Sequence, residues 1–121
     1  MKYLVLLGLA FVAHFAAAEI KEINCTAQQY TVTRDGLKDE AMQPLTLQSK
    51  NGNYVNYSVD IGERFYKLGG DLNTGDFILF MVEGPDYTVG LNSSGAFDST
   101  GRMQISQVIN DKVFKLVCFK K

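Results

Sequence analysis

Beyond residue 20 the apolar positions of this chain recur with the period of two that belongs to β-strands, not the 3.6 of a helix. Ile23, Cys25 and Ala27 alternate with polar residues in the segment 22–33. The apolar phase then moves to Tyr30 and Val32, a shift that a β-bulge near Gln28-Gln29 would produce. Leu45 and Leu47 alternate ahead of Asn51-Gly52, which predicts a type I′ hairpin turn. On the return strand, 53–61, Val55, Tyr57, Val59 and Ile61 share one face, while Tyr54, Asn56, Ser58 and Asp60 share the other. That is a strand with one dry side. ERFYKL (63–68) predicts a short strand, Gly69-Gly70-Asp71 through Gly75 a loop, and FILFMV (77–82) a strand apolar on both faces. Gly84-Pro85-Asp86 predicts a turn, Tyr87, Val89 and Leu91 another strand, and Asn92 to Gly95 a further turn. Met103 and Ile105 start a seventh strand, and Asn110-Asp111 turns it into an eighth, KVFKLVCF, which carries Cys118. Helical spacing is confined to 35–43, where Leu37 and Ala41 stand four apart and Pro44 would end a single helical turn.

About eight strands separated by turn signals at roughly 8–12-residue spacing predict an all-β domain. The N-terminus adds an address. Lys2 is followed by an apolar run from Leu4 to Phe15 and by Ala16-Ala17-Ala18, the plan of a secretory signal peptide cleaved after Ala18. Residues 1–18 are thus expected to be a signal and 19–121 a single β domain, secreted or periplasmic. Cysteines in that compartment pair, and Cys25 and Cys118 are the two the chain has. A bridge across 93 positions would stabilise the fold by roughly 4.6 kcal/mol in the chain-entropy account. It also requires the first strand to lie close to the last, as sheet neighbours or across two packed sheets. A meander whose ends meet closes on itself, so the expected fold is a small antiparallel closed barrel of about eight strands; the alternative is a two-sheet β-sandwich.

Cleavage also removes chemistry. His14 is the chain's one histidine and lies in the signal, and there is no tryptophan. Ser–His and Cys–His nucleophiles lack their base, and a zinc shell lacks its imidazoles. DLNTGDF (71–77) has calcium-loop residue types, but Asp76 stands where that loop needs glycine and Val82 where it needs its closing acid. It reads as a polar turn, with at most a weak cation contact from Asp71 and Asp76. No cofactor, metal or catalytic residue is therefore expected. Two carboxylates suffice for glycoside hydrolysis, and Asp60 and Glu63, flanking Gly62, are the pair to inspect for a carboxylate-only sugar-processing enzyme. After Lys2 is lost, eleven basic residues face thirteen acidic ones. That balance argues against nucleic acid and anionic membrane as partners.

What remains is surface. If Phe77, Leu79 and Met81 point inward, then Ile78, Phe80 and Val82 point outward and call for a cover, a partner or a second copy of the chain. The cover would be the 35–43 segment or a second sheet. Tyr54 shares its polar face with Asn56 and Ser58, a setting for sugars or peptide edges, or for simple packing against a cross-strand neighbour. Three sequons occur, at Asn24, Asn56 and Asn92, and bear on the surface only in a eukaryotic host. The expected architecture is similar to that of small periplasmic lysozyme inhibitors, disulfide-linked barrels of about eight strands. Of their loop motif, Ser94-Gly95 in Ser94-Gly95-Ala96-Phe97 matches the Ser-Gly alone, so the resemblance is architectural and implies no site residue. The expected function is an exported, non-enzymatic binding or structural module with a protein or carbohydrate partner. Its candidate surface is Tyr54, Ile78, Phe80, Val82, Ser94 and Gly95. An inhibitor of an extracellular hydrolase, acting through 92–98, is the alternative.

Overall fold

The structure, a computed structural model, describes residue 20, residues 22–85 and residues 89–121. The signal segment and Tyr87 lie outside the described residues. The described chain forms nine strands: β1 (Ile23–Thr33), β2 (Gly36–Pro44), β3 (Thr46–Asn51), β4 (Tyr54–Ile61), β5 (Arg64–Asp71), β6 (Phe77–Glu83), β7 (Val89–Gly95), β8 (Arg102–Ile109) and β9 (Lys112–Lys120). They make two antiparallel sheets, ordered β2-β1-β9-β8 and β3-β4-β5-β6-β7.

The meander is real, and β9 does return to pair with β1, but the cylinder is split. Neither β2 and β3 nor β7 and β8 are paired, so the expected closed barrel is corrected to two open sheets over one core. The cause is local at each seam. Pro44 ends β2 without an N–H to offer, and the Leu45 N–H donates back to the Cys25 carbonyl at 2.9 Å. Leu45 buries its side chain there, and the chain leaves for the other sheet. At the second seam Asp98 forms a tight turn. Its N–H donates to the Arg102 carbonyl at 2.9 Å, and its Oδ1 accepts from the Thr100 and Arg102 N–H groups and from the Thr100 hydroxyl. Those contacts fold residues 98–102 into a turn of their own at the start of β8 rather than a hairpin that lays β8 along β7.

Four further expectations change. The segment 35–43 forms strand β2 and no helical turn, because Thr33 and Gly36 pair to close a hairpin that lays β2 along β1. Gly69-Gly70-Asp71 completes β5 rather than forming a loop. A Cβ on Gly70 would lie 2.4 Å from the Asp76 carbonyl oxygen and from a Phe77 ring carbon, so glycine here serves close approach, not a turn. Asn92 to Gly95 stays in β7 rather than turning. The hairpin after β3 exists, but its central pair is Gly52-Asn53 with positive φ at Gly52 alone, the type II′ pattern, not the I′ centred on Asn51-Gly52.

Inward residues of β1, β8 and β9 (Ile23, Cys25, Ala27, Met103, Ile105, Leu116 and Cys118) meet Val55, Tyr66, Leu68, Phe77, Leu79 and Met81 from the five-stranded sheet. Cys25 and Cys118 stand directly opposite each other on neighbouring strands and form the disulfide, with Cα atoms 4.0 Å apart. Of the two placements the bridge allowed, the sheet-neighbour one is observed. The sandwich has two unlike ends. Phe97 closes one, its ring 5.1 Å from that of Phe77, with Leu72 and Ile20 buried beside it. The other end is polar.

Candidate functional site

Alternation along the five-stranded sheet sorts its residues onto two faces. The pairings Gly69–Ile78, Ile78–Ser94, Lys67–Phe80 and Phe65–Val82 set these residues on the outer face together with Tyr54, Asn56, Ser58 and Asp60. Phe77, Leu79 and Met81 turn inward and are buried, while Ile78 is 49% exposed. Neither expected cover lies over Ile78, Phe80 and Val82: β2 belongs to the other sheet, which packs on the inward face. Phe80 and Phe65 meet edge to face at 5.9 Å, and the Lys67 ammonium lies 5.6 Å from the Phe80 ring centre. Together with Val82 and Asp60 the two rings line a groove of about 460 Å³.

The second hollow on this face is a trough of about 420 Å³ lined by Tyr54, Gly69, Ile78, Asp76, Ser94 and Gly95. Gly69 makes it. The Tyr54 hydroxyl lies 3.4 Å and the Asn56 Oδ1 3.0 Å from where a Cβ of residue 69 would stand, so the tyrosine reaches across the bare backbone of β5. The ring remains 47% exposed. Asn56 Nδ2 donates to the Ser49 Oγ at 3.0 Å, which fixes the amide beside the ring. All six candidate residues thus fall on one face or its margin. So do the sequon residues Asn56 and Asn92.

The polar end of the molecule was not singled out in the sequence. The inward row Gln29, Phe114, Gln107 runs across β1, β9 and β8. Opposite it stand Tyr66 and Arg64 of β5. The Tyr66 hydroxyl donates to the Gln29 Oε1 at 2.9 Å, and burial pushes its pKa up to about 12, against a smaller opposing pull from Arg64. Arg64 is 4% exposed. Its guanidinium lies 3.7 Å over the Phe114 ring, and Nη1 donates to the Gln107 Oε1 at 3.0 Å. Nη2 faces Glu83 at 3.6 Å, an ion-pair distance beyond hydrogen bonding, and has no hydrogen-bond partner among the described residues. Two hollows of about 330 and 220 Å³ flank it, both lined by Arg64, Glu83, Lys112 and Phe114. Asp39 and Glu63 line the larger one.

One sequence signal did point to this end. The apolar phase of β1 fails at Gln29, and the expected bulge near Gln28-Gln29 was its explanation. In fact β1 keeps its register against β9 throughout, and Gln29 is an inward polar residue. The bulge belongs to β2: Asp39 and Glu40 together oppose Tyr30, with Asp39 at φ 55°. The acid pair Asp60 and Glu63 is divided between the two places, Asp60 lining the outer groove and Glu63 the polar end. Asp71 is held within its own turn, its Oδ1 accepting from the Asn73 and Thr74 N–H groups at 2.7 and 3.2 Å. Among the described residues no cluster of three or more His, Cys, Asp or Glu is placed to hold a metal ion, and no helix is long and apolar enough to cross a membrane.

Neither a protein-family model, nor a curated protein, nor a solved structure matches the chain. The likeness to disulfide-linked lysozyme-inhibitor barrels goes with the barrel itself, since the sheets are open.

Proposed function

We propose that the chain is an exported, non-enzymatic binding protein that takes an oligosaccharide on the outer face of its five-stranded sheet. The observation that supports this reading is the exposed Tyr54 ring laid across Gly69, with amide, hydroxyl and carboxylate side chains around one trough. A sugar ring has an apolar C–H face and a rim of hydroxyls. The first stacks on an aromatic ring, and the second needs donors and acceptors such as Asn56, Ser94 and Asp76. The Phe65, Phe80 and Val82 groove lies further along the same strands. A ligand of several sugar units would reach both hollows.

The test is a glycan array probed with residues 19–121, disulfide formed and Asn56 unglycosylated, followed by titration of the best ligand. Retention of a defined glycan, weakened roughly tenfold or more by Tyr54→Ala, is the expected result, the loss typical of an anchor residue. No retained glycan, or equal affinity in the variant, would contradict the reading.

A second reading is inhibition of an extracellular hydrolase. It is favoured by the edge position of β7, which among the described residues pairs with β6 alone and carries Ser94 and Gly95 at its margin. Inhibition of a lysozyme or an extracellular protease, lost when Ser94 is replaced by proline, would support it; no inhibition across both classes would end it.

A further inference from the structure

We infer that the polar end of the sandwich is a cleft for a small zwitterion, an amino acid or short peptide with a free ammonium and a free carboxylate. The inference starts from a charge that the protein leaves incompletely answered. A guanidinium has five N–H groups, and burial without partners is costly. Arg64 is 96% buried in these terms, being 4% exposed, and its Nη2 finds no hydrogen-bond acceptor among the described residues. Glu83 compensates the charge at 3.6 Å without bonding to that nitrogen. Nη1 is engaged by Gln107, so the unanswered donor is Nη2, and a carboxylate oxygen is the acceptor that matches it. Lys112, on the rim of both hollows, adds a second cation.

The remaining charges decide what else the ligand must carry. Asp39, Glu63 and Glu83 also line the larger hollow. An anion alone would meet three carboxylates, and a cation alone would leave Nη2 unanswered. A ligand with both charges satisfies both sets. Its carboxylate takes the place of the half-exposed Glu83 carboxylate beside the buried Nη2 and pairs with Arg64 and Lys112, and its ammonium pairs with Glu63 and Asp39. The hollow of about 330 Å³ has room for an amino acid or a dipeptide. The β2 bulge that holds Asp39 at φ 55° is what brings that carboxylate to the cleft.

The test is a proton–nitrogen NMR titration of residues 19–121, disulfide formed, with three probes: glycylglycine, N-acetylglycine, which lacks the ammonium, and glycinamide, which lacks the carboxylate. Glycylglycine is expected to give saturable shifts at the Arg64 side-chain N–H and at residues of the cleft. The two blocked probes are expected to bind roughly tenfold more weakly, the worth of one charge-assisted contact. Arg64→Met removes the carboxylate partner and abolishes binding. Lys112→Ala and Glu63→Gln change exposed side chains, so the fold is kept; each is expected to weaken glycylglycine binding several-fold. The inference is overturned if glycylglycine gives no saturable shift in the cleft. It is equally overturned if either blocked probe binds as well, or if Lys112→Ala and Glu63→Gln leave the affinity unchanged.

Discussion

Gly70 and Arg64 sit six residues apart on β5 and impose opposite demands on the core. Gly70 is a position of no space: the Asp76 carbonyl and Phe77 occupy the volume of any side chain. Gly70→Ala is expected to cost about 1–3 kcal/mol, the usual penalty of overpacking, read from the shift in a urea unfolding curve. In the sequence this glycine stood beside Gly69 and Asp71 and resembled a loop, because residue type alone does not separate close approach from turning. Arg64 is a position of incomplete satisfaction. Replacement by methionine keeps contact with Phe114 and removes the desolvated charge, so Arg64→Met is expected to change stability by no more than about 1 kcal/mol in either direction. The same measurement on Glu83→Gln, which leaves the guanidinium without its countercharge, should show the larger loss. Tyr66 offers an independent check on burial at this end. Its folded pKa of about 12 lies above the ordinary 10.0, so its contribution to stability is complete below pH 10 and is lost as pH rises toward 12. Ultraviolet titration should find a tyrosine that ionises only near pH 12.

At the scale of elements, β4 was plain in the sequence because it has a dry side and a marked alternation, and β6 because it is a short apolar run bounded by turn residues. β2 was not. Eight of its nine residues, all but Ala41, are exposed, and its pairing with β1 is interrupted by a bulge, so it carries no apolar period to read. Asp39 holds a left-handed conformation there that L-residues pay for, and Asp39→Gly is expected to raise stability by roughly 1 kcal/mol. The same substitution removes a carboxylate from the cleft, so a gain in melting temperature with weaker glycylglycine binding is the expected pair of results. The β7–β8 connection has its own pH signature. The Asp98 carboxyl is held below its ordinary value chiefly by the Thr100 hydroxyl, and then by the backbone N–H of Arg102. Its hydrogen bonds are intact above the ordinary carboxylate range and are lost as pH falls through the lowered folded value. The Thr100 amide resonance, followed by NMR on acidification, should report that loss.

For the whole molecule, the order of strands was legible and closure was not. Alternation, turn residues and a Cys25–Cys118 bridge suffice to place β1 beside β9. Whether a meander then seals depends on a few backbone hydrogen bonds, which Pro44 and the Asp98 turn divert. The bridge ties neighbouring strands within one sheet, so reduction should leave the strand order intact. By the entropy of the loop it closes, its loss should lower unfolding free energy by about 2–5 kcal/mol, measured as the difference between oxidised and reduced unfolding curves. The candidate surface followed from the same alternation, because a strand apolar on both faces calls for something over its outward side. The polar end did not, because Arg64, Gln29 and Gln107 meet only once three strands from distant parts of the chain are assembled. The central claim is that ligand meets the outer face of the five-stranded sheet. It is tested most directly by mapping NMR shift changes as residues 19–121 are titrated with the glycan selected on the array. The account predicts saturable changes centred on Tyr54, Asn56, Ile78 and Ser94. Changes confined to β1, β2, β8 and β9, or none at saturating ligand, would contradict it.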